Sequence, residues 1–198
     1  MLSPLAPRDA DGLLFDWDGT LVDSQSANYR AMTEALAPLG VTLERAWFDA
    51  RTGLSSAEMI GALTEEGGLD LPVPVREIVA RRDEHFLRQA HRIRAHPAVL
   101  EVVRTWHGRL PMAVASGGSR AVISRTMRHL PYASLFSTVV TREDVERGKP
   151  APDIFLLAAH RLGIAPDRCA VYEDSDEGVA AALAAGMTVI DVRPHTGR

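Results

Sequence analysis

Apolar residues recur along this chain with two different periods, and the change of period divides it. Gly12 to Asp16 is a short, continuously apolar run closed by a carboxylate, the pattern of a strand buried on both faces. From Ala27 to Leu39 the apolar positions fall at helical intervals, with Met32, Leu36 and Leu39 on one side and Gly40 as the stop. Ser55 and Ser56 are N-cap candidates for a helix over 57–63. A further helix begins after Pro74, with Val75, Ile78, Val79, Phe86 and Ala90 as its buried stripe. Glycines and prolines punctuate this stretch. Beyond Pro97 helix and strand alternate. Helices are predicted over 99–106, 120–129, 153–162 and 177–185, and strands over 111–115, 137–140, 168–172 and 187–192.

Such alternation implies right-handed crossovers and a parallel sheet covered on both faces. The predicted fold is therefore α/β, a doubly wound parallel sheet that includes the strand at 12–16 and is interrupted by an all-helical insertion. The domain reading is a core of 1–23 and 96–198 with a helical cap over 24–95, placed as a lid over the carboxyl edge of the sheet.

Composition adds exclusions. The 198 residues are 46% apolar and 24% charged, ordinary for a globular protein, and could form one large domain or a core with an insertion. A net charge of −4, from 26 acidic and 22 basic side chains, gives no reason to expect a nucleic-acid partner. A single cysteine, Cys169, rules out an intramolecular disulfide, and no run is long and apolar enough for a membrane span or a signal peptide. The expectation is a cytoplasmic protein, a monomer or at most a weak dimer, whose partner is a small molecule.

The chemistry gathers at predicted strand ends, where open α/β sheets bind ligands. In FDWDGTLVDS, Phe15 to Ser24, Asp16 and Asp18 are two residues apart and so project the same way from an extended backbone. Two adjacent carboxylates ionise together only with a cation between them, and Mg²⁺ accepts carboxylate and carbonyl oxygens while leaving positions open. With it, Asp16 can act as a nucleophile and Asp18 can shuttle a proton. Ser116, with Gly117 and Gly118, supplies a hydroxyl and unobstructed N–H groups near a helix start, a cradle for an anion. Lys149 can neutralise a phosphoryl oxygen, and Glu173 with Asp174 can complete an oxygen-rich cation site. Taken singly, each reads equally well as a turn, an N-cap or a solvated charge; their recurrence at four strand ends is what points to one site.

These four stretches resemble the haloacid dehalogenase superfamily of phosphohydrolases, with Asp16-Trp17-Asp18-Gly19-Thr20-Leu21, Ser116, Lys149 and Glu173-Asp174 as its motifs. GKPAPDIF and EDSDEGVAAALAAGM are similar to the β-phosphoglucomutase-like branch, and WHGRLPMAVASG to its small sugar-phosphate phosphatases of the fructose-1-phosphate/6-phosphogluconate type. The resemblance implies a Mg²⁺-dependent phosphatase that hydrolyses a small phosphorylated sugar or sugar acid through an aspartyl phosphate on Asp16, with Asp18 as acid and base. It implies Asp16, the Asp18 carbonyl and Asp174 around Mg²⁺, with Glu173 in or near that shell. Thr20, Ser116, Gly117 and Lys149 would hold the phosphoryl group. Within the cap it points to Asn28, Ser56 and Arg82 as specificity positions.

Two alternatives stay open. Mutases of this branch have histidine at the position of Asn28 and arginine at that of Ser56, and the loss of a second phosphate-gripping cation favours a phosphatase over a hexose-phosphate mutase. A phosphoaspartate receiver module also combines clustered acids, a hydroxyl and a lysine, but receivers are shorter, lack an insertion and do not take the phosphoacceptor from the first strand. The Arg- and His-rich run from Arg81 to His96 reads mainly as the wet face of an amphipathic helix.

Overall fold

In the computed structural model, which describes residues 4–130 and 132–197, the run Gly12–Phe15 is strand β1, and all four of its residues are buried. β2 (Val22–Asp23) follows, then four helices: α1 (Gln25–Leu36), α2 (Arg45–Asp49), α3 (Ser56–Gly67) and α4 (Val75–Gln89). β3 (Arg94–Ala95) returns to pair antiparallel with β2. The chain then runs α5 (Pro97–Trp106), β4 (Met112–Ala115), α6 (Arg120–Met127), β5 (Thr138–Val140), α7 (Asp153–Leu162), β6 (Cys169–Glu173), α8 (Asp176–Ala184), β7 (Thr188–Asp191) and α9 (Arg193–Thr196).

Five strands form one parallel sheet in the order β5-β4-β1-β6-β7. Because side chains alternate along a strand, each central strand feeds two cores. Leu13, Phe15, Met112, Val114 and Tyr172 point to a core shared with Val99 and Val103 of α5 and Ile123 of α6. Leu14, Ala113, Ala115, Cys169 and Val171 point the other way, against Phe155 and Ala158 of α7 and Ala181 of α8. Helices thus cover both faces, as a doubly wound sheet requires. Phe15 stacks on Tyr172 with ring centroids 4.6 Å apart, and the buried Tyr172 hydroxyl donates to the Leu5 carbonyl at 2.8 Å. The chain leaves β1 in both directions across the sheet, so the switch point lies at its carboxyl end, where Asp16 stands.

The helices between β2 and β3 carry a third core of Met32, Leu36, Leu43, Phe48, Met59, Ile60 and Ile78. α1 is continued by a 3₁₀ turn over Ala37–Leu39 and stops at Gly40, whose φ of 72° is the left-handed value that ends a helix. Ser55 closes a capping box with Glu58 at the start of α3. Three elements go beyond the expected list: α2, the β2–β3 pair and α9. Each is five residues or fewer, too short for either period to register. No helix among the described residues is long and apolar enough to cross a membrane.

Candidate active site

The loop after β1 is a tight return. Leu21 and Val22 donate to the Trp17 carbonyl at 3.1 and 3.0 Å, and Gly19 donates to Val22 at 2.8 Å. Gly19 has φ 92°, a conformation that side chains disfavour, so glycine there lets the chain fold back under the two aspartates. Asp16 is 5% exposed, and its N–H extends the β1–β6 ladder by donating to Tyr172 O at 3.0 Å. Asp18 Oδ1 accepts from Ser24 Oγ at 2.5 Å and Asn28 Nδ2 at 3.0 Å, while its carbonyl accepts from Gln25 Nε2 at 3.2 Å. The start of α1 therefore grips Asp18.

Lys149 is buried, and its ammonium donates to Asp16 Oδ1 at 2.6 Å and to Glu173 Oε2 at 2.7 Å. The other oxygen of Glu173 accepts from Asp174 N, Ser175 N and Ser175 Oγ at 2.9, 3.0 and 2.9 Å. A Cβ at Gly178, in the first turn of α8, would lie 2.0 Å from the Glu173 carboxyl carbon. Only glycine leaves room for that carboxylate. Thr20 Oγ1 donates to Asp174 Oδ1 at 2.8 Å.

Carboxylate oxygens of Asp16, Glu173 and Asp174 come within 4.8 Å of one another, all buried. Burial raises the Asp16 pKa well above the usual carboxylate value, Glu173 and Asp174 push it further, and Lys149 opposes them. Burial would lower the Lys149 pKa, but Asp16 and Glu173 outweigh it and hold the ammonium charged. One ammonium faces three acids, so the cluster carries uncompensated negative charge, and a divalent cation fits it.

Across from the acids, Ser116 Oγ accepts from Gly118 N at 3.0 Å, and Ser119 caps α6 through Val122 N. Here the helical insert comes close to the core. A Cβ on Gly117 would lie 3.2 Å from Gly53 O. Between them is a cavity of about 60 Å³. Its core wall includes Asp16, Asp18, Ser116 and Gly117, and its insert wall includes Asn28, Ser56 and Arg82. Arg82 is buried, bonds Asn28 Oδ1 through Nη2 and Asp83 Oδ1 through Nη1 at 2.8 Å, and lies over the Phe86 ring.

Residues 10–186 match the haloacid dehalogenase-like hydrolases. The chain belongs to that family. It is 37% identical to the fructose-1-phosphate phosphatase YqaB of Escherichia coli (strain K12) over 92% of this chain and 96% of that protein. To the hexitol phosphatase A of the same organism it is 35% identical, over 91% of this chain and 82% of the other. Among solved structures, CbbY from Rhodobacter sphaeroides in complex with phosphate superposes with a TM-score of 0.83 at 27% identity, over 92% of this chain and 85% of CbbY. The β-phosphoglucomutase of Clostridium difficile has the same TM-score at 19% identity, which shows a common fold. This hydrolase is a phosphoric monoester hydrolase.

The structure brings Asp16, Asp18, Asn28, Ser56, Arg82, Ser116, Gly117 and Glu173 of this hydrolase to one cavity. Lys149 and Asp174 reach it through their neighbours in the acid cluster. Thr20 joins the same cluster through its hydroxyl, which donates to Asp174 Oδ1. Glu173 is held by four donors and anchors Lys149. Sequence reasoning passed over Ser24, Gln25, Asp83 and Gly178. For Ser24 a signal existed, since a serine at a helix N-cap four residues before Asn28 shares the face that Asn28 uses.

Proposed function

We propose that this hydrolase releases inorganic phosphate from a small phosphorylated sugar or sugar acid. In this reading an oxygen of Asp16 attacks phosphorus and the bond from phosphorus to the sugar oxygen breaks. Asp18 gives its proton to that departing oxygen. Water then attacks the aspartyl phosphate, Asp18 takes a proton from it, and phosphate leaves with Asp16 restored. Asp16, the Asp18 carbonyl and Asp174 would hold Mg²⁺, with Glu173 fixing Lys149 beside them. When bound, Mg²⁺ supplies charge neutralisation for the transferring phosphoryl group. Ser116, the Gly117 N–H and Lys149 would hold its oxygens, while Thr20 orients Asp174. The helices over 24–95 would act as the cap that supplies the specificity wall.

The observation that carries this reading is the buried Lys149 ammonium shared between Asp16 and Glu173, with Asp174 in the same cluster. Phosphoryl transfer asks the protein mainly for positioning and charge neutralisation, and the cluster offers both. The sugar and hexitol phosphatases among the relatives support a small substrate. The buried free Cys169 accords with a cytosolic setting. A screen of sugar phosphates with Mg²⁺, reading phosphate release and sugar isomerisation together, tests the proposal. Asp16→Asn should lower release on the order of 10⁴-fold or more. Robust turnover by that variant, or isomerised product outpacing free phosphate, would overturn it.

A further inference from the structure

The segment from Gly53 to Glu58 of the insert meets the core at three loops, one behind each of β4, β5 and β6. Gly53 O faces Gly117, and a Cβ on Gly53 would lie 2.4 Å from Ser175 Oγ. The contact behind β5 is charged. Glu58 Oε1 lies 3.4 Å from Arg142 Nη2, and a Cβ on Gly148 would lie 2.5 Å from that oxygen and 3.0 Å from Arg142 Nε. The φ of Gly148 is not left-handed, so its backbone does not ask for glycine. The Glu58 carboxylate does. Arg142 ties the loop on the core side: Nη1 donates to Val145 O at 2.9 Å and Nη2 to Glu146 O at 3.2 Å, and its own N–H donates to Gly118 O at 3.3 Å. Glu58 is fixed on the insert side, because Oε2 accepts from Ser55 N at 2.9 Å.

Resting on the reading above that gives Lys149 the phosphoryl oxygens, we infer that Glu58 is a positioning residue for Lys149, acting from the insert through Arg142 and through the space left at Gly148. Lys149 is the residue after Gly148, and its ammonium is shared between Asp16 and Glu173 at 2.6 and 2.7 Å. A small displacement of its backbone changes which acid the ammonium favours and how it meets a phosphoryl oxygen. The Arg142 and Glu58 side chains are 30% and 32% exposed, too open for the pair to add much stability. Its effect is on geometry.

The test follows p-nitrophenyl phosphate hydrolysis at saturating Mg²⁺, inhibition by inorganic phosphate and urea midpoints in Gly148→Ala, Glu58→Ala, their double variant and Glu58→Gln. Gly148→Ala pushes the carboxylate aside. It should lower kcat and weaken phosphate inhibition, each by about 10-fold, with the urea midpoint near that of wild type. In the Glu58→Ala background the same alanine meets no carboxylate and should cost about 2-fold or less, so the two changes do not add. Glu58→Gln keeps an acceptor for Ser55 N and drops the charge facing Arg142; it should lower kcat about 3–5-fold, the scale of one partly exposed ion pair. Multiplicative effects of Gly148→Ala and Glu58→Ala overturn the inference. So do wild-type kcat and phosphate inhibition in Glu58→Gln, which would confine Glu58 to capping α3, and so does a loss in Gly148→Ala that tracks the urea midpoint while phosphate inhibition stays the same. Phosphate inhibition that is unchanged in Lys149→Met instead overturns the phosphate role of Lys149, and this inference with it.

Discussion

The ammonium of Lys149 lies 2.6 Å from a carboxylate oxygen of Asp16, though 133 positions separate them in the chain. Neither group is stable in that place without the other. Asp16 is surrounded by two further acids, and Lys149 is fully buried with Phe155 beneath it. Lys149→Met should therefore have two effects. It leaves three buried acids without their counter-charge, which costs about 3–5 kcal/mol of stability. It also removes the group proposed to hold the transferring phosphoryl oxygens, which should lower kcat about 10²–10³-fold. Denaturant unfolding and phosphate release at saturating Mg²⁺ measure the two separately. A variant as stable and as active as wild type would remove Lys149 from the site.

Asp18 is held from one side only. Ser24 and Asn28 both donate to Oδ1, which leaves Oδ2 for the proposed proton transfer. Asp18→Ala should lower turnover by about 10²–10⁴-fold. Its affinity for Mn²⁺, read by electron paramagnetic resonance as a stand-in for Mg²⁺, should stay close to wild type, because only the backbone carbonyl is assigned to the metal. Loss of metal binding in parallel with turnover would show that the side chain has been given the wrong role.

Much of this architecture was legible before any coordinates. Gly12–Phe15 is apolar throughout because it is buried on both faces, and the four chemical stretches follow strands because parallel strands share one carboxyl edge. What the periodicity did not show depended on tertiary approach. Resemblance names Arg82 as a specificity position, but the pattern of the chain does not: it stands in a run of charge that reads as solvent-facing, yet Ile78, Arg82 and Phe86 recur every four residues and all three are buried. The charge masked the period. For Thr20 the resemblance implies a phosphate contact, and the structure adds a bond from its hydroxyl to Asp174, 154 positions away. That placement is testable. Thr20→Val should weaken Mn²⁺ or Mg²⁺ binding about 10–100-fold, as loss of a group orienting a metal ligand does. Inhibition by inorganic phosphate at saturating metal should be nearly unchanged. The reverse pattern would support the phosphate role instead.

Asp144 lies outside the acid cluster, in the stretch after β5 that the periodicity leaves as a loop. Its side chain is 10% exposed and accepts from Arg120 at 2.6 Å, Arg161 at 2.8 Å and Thr141 N at 2.8 Å. Burial would raise its pKa, but the Thr141 N–H and the two guanidinium groups outweigh burial and bring it well below the usual carboxylate value. The folded state thus binds the proton more weakly than the unfolded chain, whose aspartate titrates near about 3.9. Stability from this group is fully present above that value and is lost as pH falls through the lower folded pKa. Asp144→Asn keeps the shape and removes the charge, so at pH 7 it should cost about 2–3 kcal/mol, the scale of hydrogen bonds to a charged group. The gap between variant and wild type should begin to narrow as pH drops below about 4, where the unfolded wild-type chain takes up a proton on this aspartate, and should close only as pH falls through the lower folded pKa. Urea midpoints measured across that range decide the matter: a gap that is absent at pH 7, or that persists unchanged into acid, would mean that the two arginines do not act through the charge on Asp144.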